Sequence, residues 1–148
     1  MAIDITAEVT IDRKRDDVAW FAMEPENDPV WIGGIVEAKM VTKPPFRKGT
    51  KVARVAKFMG RRMEYTPEVT RYEPGKLLEM STDVPFEMTI RYEFEDADGG
   101  TLARIRVQGE GSGFYRLASP LLARMVKRNV SRDLRTLKRL LEASADTI

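Results

Sequence analysis

Arg54 lies in the run Val52-Ala53-Arg54-Val55-Ala56-Lys57-Phe58, where the period of two in a strand forces a choice. If Val52, Ala56 and Phe58 take the covered face, Arg54 is covered with them; the opposite register covers Lys57 beside Ala53 and Val55. Either register puts a cation on an apolar face, and a buried guanidinium needs an anion or several acceptors. Such a group can hold a ligand carboxylate or phenolate, join a structural ion pair, or reach out to water. Arg54 is expected to be the polar anchor for a ligand. Asn129 and Asp133, four apart in a C-terminal helical run, stack on one helix face and could reach either a ligand or Arg54.

Methionine and the aromatic residues supply the softer chemistry. Thioethers adapt to irregular shapes, and phenols join an apolar ring to a hydrogen-bonding tip. Met63 and Tyr65 share one strand face, and Met88, Tyr92 and Phe94 share another, with Met80 fitting beside them. Met125 can approach from the terminal helix and Trp31 from a short helix near a cavity mouth. The ligand-binding set expected from these patterns is Trp31, Arg54, Phe58, Met63, Tyr65, Met80, Met88, Tyr92, Met125 and Asn129. Ordinary core packing is the plainer alternative for each of them.

The chain has no cysteine and no histidine. Thiolate chemistry, disulfides and zinc ribbons are thereby excluded, and the usual general base at neutral pH is missing. Catalysis would have to run on carboxylates, Tyr, Lys, Arg or bound water, and no metal or cofactor is expected. The net charge of +2 hides a segregation: residues 114–148 hold eight Lys or Arg against three acids. A basic helix can dock on phosphate or anionic lipid, but these cations are expected to be solvated. No aromatic platform or DNA-binding motif accompanies them, so sequence-specific nucleic-acid binding is not expected, and at most weak peripheral membrane contact is. The N-terminus lacks the apolar core of a signal peptide and no run is long enough to cross a bilayer, which suggests a cytoplasmic protein, monomeric or homodimeric.

The elements that must position these residues follow from periodicity and turn chemistry. Ile3, Ile5, Ala7, Val9 and Ile11 alternate with polar residues and predict a first strand. Asp12 can cap a short helix carrying Val18, Phe21 and Ala22 on one side, and a second helical turn is expected at 27–32, ended by Gly33-Gly34. Strands are then expected over 35–42, 50–59, 62–72, 77–82, 86–95 and 101–108, with a hairpin about Gly60. Phe114 to Ala143 predicts a long amphipathic helix. Ser119-Pro120 is either its N-cap and first residue or the site of a kink. Length and the lack of linkers give one domain over residues 1–148.

This order, with Val9-Thr10-Ile11-Asp12-Arg13, Asp28-Pro29-Val30-Trp31 before Gly33-Gly34, Val69-Thr70-Arg71-Tyr72-Glu73-Pro74-Gly75-Lys76-Leu77 and Tyr92-Glu93-Phe94, resembles the START-like helix-grip (SRPBCC) superfamily. Within it, the chain is similar to the polyketide cyclase/dehydrase group. The resemblance implies an α+β helix-grip fold in which a seven-stranded curved antiparallel sheet wraps a long C-terminal helix, with two short helices after strand 1. It also implies a cavity for lipids, polyketides, isoprenoids or other aromatic compounds, with catalysis in only some members. Three functions follow: a carrier or sensor of a hydrophobic small molecule, a cyclase/dehydratase-type enzyme using Tyr, carboxylate and Arg, or a protein that docks through its basic helix.

Overall fold

The alternating N-terminal residues form β1 (Ala2–Ile11), which pairs antiparallel along its whole length with β8 (Gly100–Glu110). A computed structural model describes residues 2–58, 60–84, 87–110 and 119–145. Between these strands lie α1 (Arg15–Met23), a 3-10 turn (Pro25–Asn27), α2 (Asp28–Trp31), β2 (Ile35–Met40), β3 (Val52–Phe58), β4 (Arg61–Tyr65), β5 (Glu68–Glu73), β6 (Leu77–Thr82) and β7 (Met88–Ala97). The terminal helix, α3, is described from Ser119 to Ala145; the expected helical residues 114–118 lie outside the described residues, as does Phe86 of the expected strand 86–95.

Among the described residues eight strands form where seven were expected, because the run 62–72 breaks at Thr66-Pro67. Proline has no N–H for a ladder and bends the residue before it away from regular pairing. Pro67 is buried at the corner, and its carbonyl accepts the Val52 N–H at 3.1 Å. The strands are ordered β1-β8-β7-β6-β5 in one sheet and β2-β3-β4 in another, joined at this corner by the Lys51–Glu68 bridge. Together with the terminal helix they make the α+β helix-grip arrangement. Asp12 does not cap α1. Lys14 holds that position without a side-chain bond, while the Asp12 N–H donates to Glu142 of α3 at 2.9 Å.

The core is unevenly filled. Toward the C-terminal end of α3, Leu134, Leu137 and Leu141 pack on Ala7, Ile11, Ala103, Ile105 and Phe94, together with α1 and Trp31. Toward its N-terminal end Leu122 is the one buried helix residue among the described residues, against Ile3 and Ile5, and Leu121 is 64% exposed. Arg124, Lys127, Arg128, Arg135 and Arg139 lie exposed on the helix. Among the described residues no helix is long and apolar enough to cross a membrane.

Candidate functional site

Antiparallel registration turns the strand alternation into rows of side chains across the covered face. One row runs Ala7, Ile105, Tyr92, Leu78, and all four are buried. Two pairs farther along, the row is Ile3, Gly109, Met88. Gly109 offers no side chain there, so the sheet is hollow between Ile3 and Met88. A glycine inside a strand often marks a close approach of a ligand or of other backbone, and a Cβ here would stand 3.4 Å from the Glu87 carbonyl oxygen.

Above this hollow passes α3, presenting Leu122, Met125, Val126, Asn129 and Val130 at helical spacing. The hairpin β3–β4 closes one side with Ala56, Met63 and Tyr65, and the Ile32-Gly33-Gly34-Ile35 segment closes another. The result is a predominantly apolar cavity of about 370 Å³. Met88, Ile90, Met125 and Val126 stay half-buried because they face it. A larger groove of about 470 Å³ lies among Arg15, Arg71, Arg91, Glu73, Glu93 and Asp96. Arg91 there is paired with Glu79 and Glu93, and Arg15 with Asp96, so its charges are largely satisfied within the protein.

The polar residues lining the cavity are Lys57, Tyr65, Asn129, Arg132 and Asp133, and of these Lys57 and Arg132 are exposed to solvent. Neither the Tyr65 hydroxyl nor the Asn129 amide has a hydrogen-bond partner among the described residues. Asp133, one helical turn beyond Asn129, is engaged: its Oδ1 accepts the Gly33 N–H at 3.0 Å, with Arg132 Nε at 3.9 Å. Burial raises the Asp133 carboxyl above the usual aspartate range, against the opposing pull of the Gly33 N–H and Arg132. A Cβ on Gly33 would stand 3.0 Å from Arg132 Nη2, so a bare backbone lets this loop approach α3 closely.

Of the residues expected to meet a ligand, Met63, Tyr65, Met88, Met125 and Asn129 converge on this cavity. Trp31, Arg54, Met80 and Tyr92 do not line it. They fill the opposite part of the interior, where the side chains leave essentially no free volume. The side chain of Phe58 lies outside the described residues. The register left open by the sequence is settled in favour of Arg54, which is 3% exposed, while Lys57 is exposed. Arg54 donates through Nε and Nη2 to Asp28 Oδ2 at 3.1 and 2.8 Å, and through Nη2 to the Tyr92 hydroxyl at 3.2 Å. Its guanidinium thus has the structural partner that the sequence offered as the alternative to a ligand. Tyr65, its register partner across β3 and β4, is the member of that row that reaches the cavity.

Around this pair the interior is closed. Trp31 packs edge-on to Tyr92 with centroids 5.8 Å apart, and its buried Nε1 has no partner among the described residues. Burial pushes the Tyr92 phenol up to about 12, opposed by Arg54, so it stays protonated at neutral pH. Burial also raises Asp28, with Arg54 pulling the other way. No cluster of ligating side chains able to hold a metal occurs among the described residues. Ile3, Ile35, Gly109 and Leu122 are cavity residues that the strand and helix patterns did not single out.

The family model described as polyketide cyclase/dehydrase and lipid transport matches residues 2–142. No curated protein matches the chain by sequence. Among solved structures, TTHA0849 from Thermus thermophilus superposes with a TM-score of 0.80 at 17% identity, over 95% of this chain and 98% of that one. The di-domain ARO/CYC StfQ from the steffimycin biosynthetic pathway gives 0.80 at 16% identity, covering 99% of this chain and 53% of StfQ. Protein SA2116 from Staphylococcus aureus, of unknown function, gives 0.78 at 12%, over 99% and 98%. At such identities the likeness is one of fold.

Proposed function

We propose that this chain, which belongs to the polyketide cyclase/dehydrase and lipid transport family, is a carrier or sensor that encloses an uncharged hydrophobic small molecule between its sheet and α3. The observation that carries this reading is the pairing of an apolar cavity of about 370 Å³ with two unpartnered neutral polar groups, Tyr65 and Asn129. Burial in such a space supplies affinity and a few polar groups supply orientation. The volume sits low in the usual range of about 300 to 1,000 Å³ for ligand sites. It suits a compact ring system or a short acyl chain better than a long-chain lipid. The Tyr65 hydroxyl would donate to a ligand oxygen, and the Asn129 amide can donate or accept.

Native mass spectrometry of freshly purified protein, followed by solvent extraction, tests this reading. A neutral apolar compound should co-purify, or a neutral fluorescent naphthylamine probe should bind with one-to-one stoichiometry and be displaced by flat polycyclic compounds. Failure of both would refute it.

A second reading, proton-transfer catalysis of the cyclase/dehydratase type, is favoured by one observation. Asp133, with its carboxyl raised by burial, lines the same cavity one turn from Asn129. An acid in that state could move a proton while Asn129 or Tyr65 polarised a carbonyl. Asp133→Asn should then abolish turnover of a β-hydroxy ketone while leaving its binding intact.

A further inference from the structure

On another side of the molecule, α1 and the β5–β6 turn enclose a surface cleft of about 350 Å³ that shares no residue with the cavity. Its walls are aromatic. Trp20 lies on the outer side of α1, opposite the buried Val18, Ala19 and Ala22, and is 72% exposed. Phe46 stacks edge-on to Tyr72 at 4.9 Å between centroids, leaving both rings half-buried at the cleft. Among the described residues its charged lining residues are acids, Asp16 and Glu24. Among the described residues Glu24 has no ion-pair partner and Asp16 has one, Arg15 at 3.8 Å, a guanidinium held more closely by Asp96 at 3.1 Å; Asp16 Oδ1 lies against Gly75, where a Cβ would stand 2.8 Å from it.

Exposed tryptophan faces attract cations through the ring quadrupole, and carboxylates on the same wall, above all one without an ion-pair partner such as Glu24, add to that field. We infer that this cleft, formed by Trp20, Phe46, Tyr72, Asp16 and Glu24, is a second binding site that takes a small organic cation of the quaternary or alkylated ammonium class. Such an ion is weakly hydrated and sheathed in methyl groups, so it contacts aromatic faces without losing strong hydrogen bonds. The cleft does not depend on what the inner cavity holds.

The chain has two tryptophans, one buried and one exposed, so fluorescence reports on the cleft directly. Titration of the purified protein with benzyltrimethylammonium should change the red-shifted emission of Trp20 in a saturable way, and its uncharged carbon isostere should bind at least about threefold more weakly. By isothermal titration calorimetry, Trp20→Ala should weaken binding of the cation at least several-fold, and so should Glu24→Gln; Trp20 is exposed and Glu24 half-buried, and circular dichroism would verify folding. Equal affinity for cation and isostere, or no saturation, would overturn the inference. A trimethyllysine peptide binding more than tenfold tighter than the free cation would also overturn it, by making the occupant a protein tail.

Discussion

Arg54→Met should lower the urea midpoint of unfolding by roughly 2 M. The magnitude follows from burial. Arg54 and Asp28 are 3% and 2% exposed, and the guanidinium makes two bonds to one carboxylate oxygen and a third to Tyr92. Methionine keeps much of the volume but leaves the carboxylate buried without a counter-ion, which costs about 3 to 5 kcal/mol. With a urea slope of about 1.5 to 2 kcal/mol per M for a small domain, that gives the stated shift. The deficit also carries a pH signature. Asp28 is already raised by burial, and losing Arg54 removes the main opposing pull. A carboxyl raised in the folded state stabilises it most below the unfolded value and loses that contribution as pH rises through the folded one. The variant should therefore recover on acidification. Arg54→Met with Asp28→Leu should recover most of the loss at neutral pH, since apolar replacement of a buried pair is often close to neutral. Denaturation curves at two pH values test this. A loss under about 1 kcal/mol, or intact stability with selectively weaker binding of acidic ligands, would refute the structural role and restore Arg54 as a ligand anchor.

Other outcomes are open to similar tests. Met88→Lys should abolish binding of the neutral probe with little change in stability, because Met88 is half-buried at the cavity; unchanged affinity, measured by fluorescence titration, would remove it from the site. Asp133→Asn keeps an acceptor for the Gly33 N–H and removes a charge that burial disfavours, so it should change stability at pH 7 by less than about 1 kcal/mol. Because the Asp133 carboxyl is raised, wild type should gain relative to this variant as pH falls through the folded value, and parallel curves would contradict that. Glu79 has the opposite sign: burial opposes its charge, but bonds from Arg91 and Thr70 win and lower it. Glu79→Gln should therefore destabilise at neutral pH, and the difference should shrink as pH falls below the ordinary glutamate range. The basic face of α3 should bind anionic vesicles or nucleic acid only weakly and lose them in salt; sequence discrimination in a competition assay would contradict this.

Strand alternation and turn residues made the order of elements legible, because the two-residue and helical periods are local properties of the chain. The break at Pro67 carried its own signal, yet the apolar residues on both sides of it read as one strand. Faces were legible and positions along them were not. Met80, Met88 and Tyr92 all point inward, but only the registration of β6, β7 and β8 under α3 shows that Met88 borders empty space while Met80 and Tyr92 are packed. Arg54 was legible as an inward cation. Its partner was not, because Asp28 is 26 residues away in a separate helical turn. Gly109 lies within β8, beyond the 101–108 expected from alternation, and leaves no side chain opposite Ile3.

Methionine methyl groups offer the most direct test of the central claim, that the ligand site is the cavity under the N-terminal half of α3. Met63, Met88 and Met125 line that cavity, whereas Met23 and Met80 are buried in the filled part of the core. In a methyl NMR titration of methyl-labelled protein with a neutral polycyclic ligand, the Met63, Met88 and Met125 signals should shift together and saturate, while those of Met23 and Met80 hold still. Shifts at Met23 and Met80 without the other three, or no saturable shift at any of the five, would contradict the account.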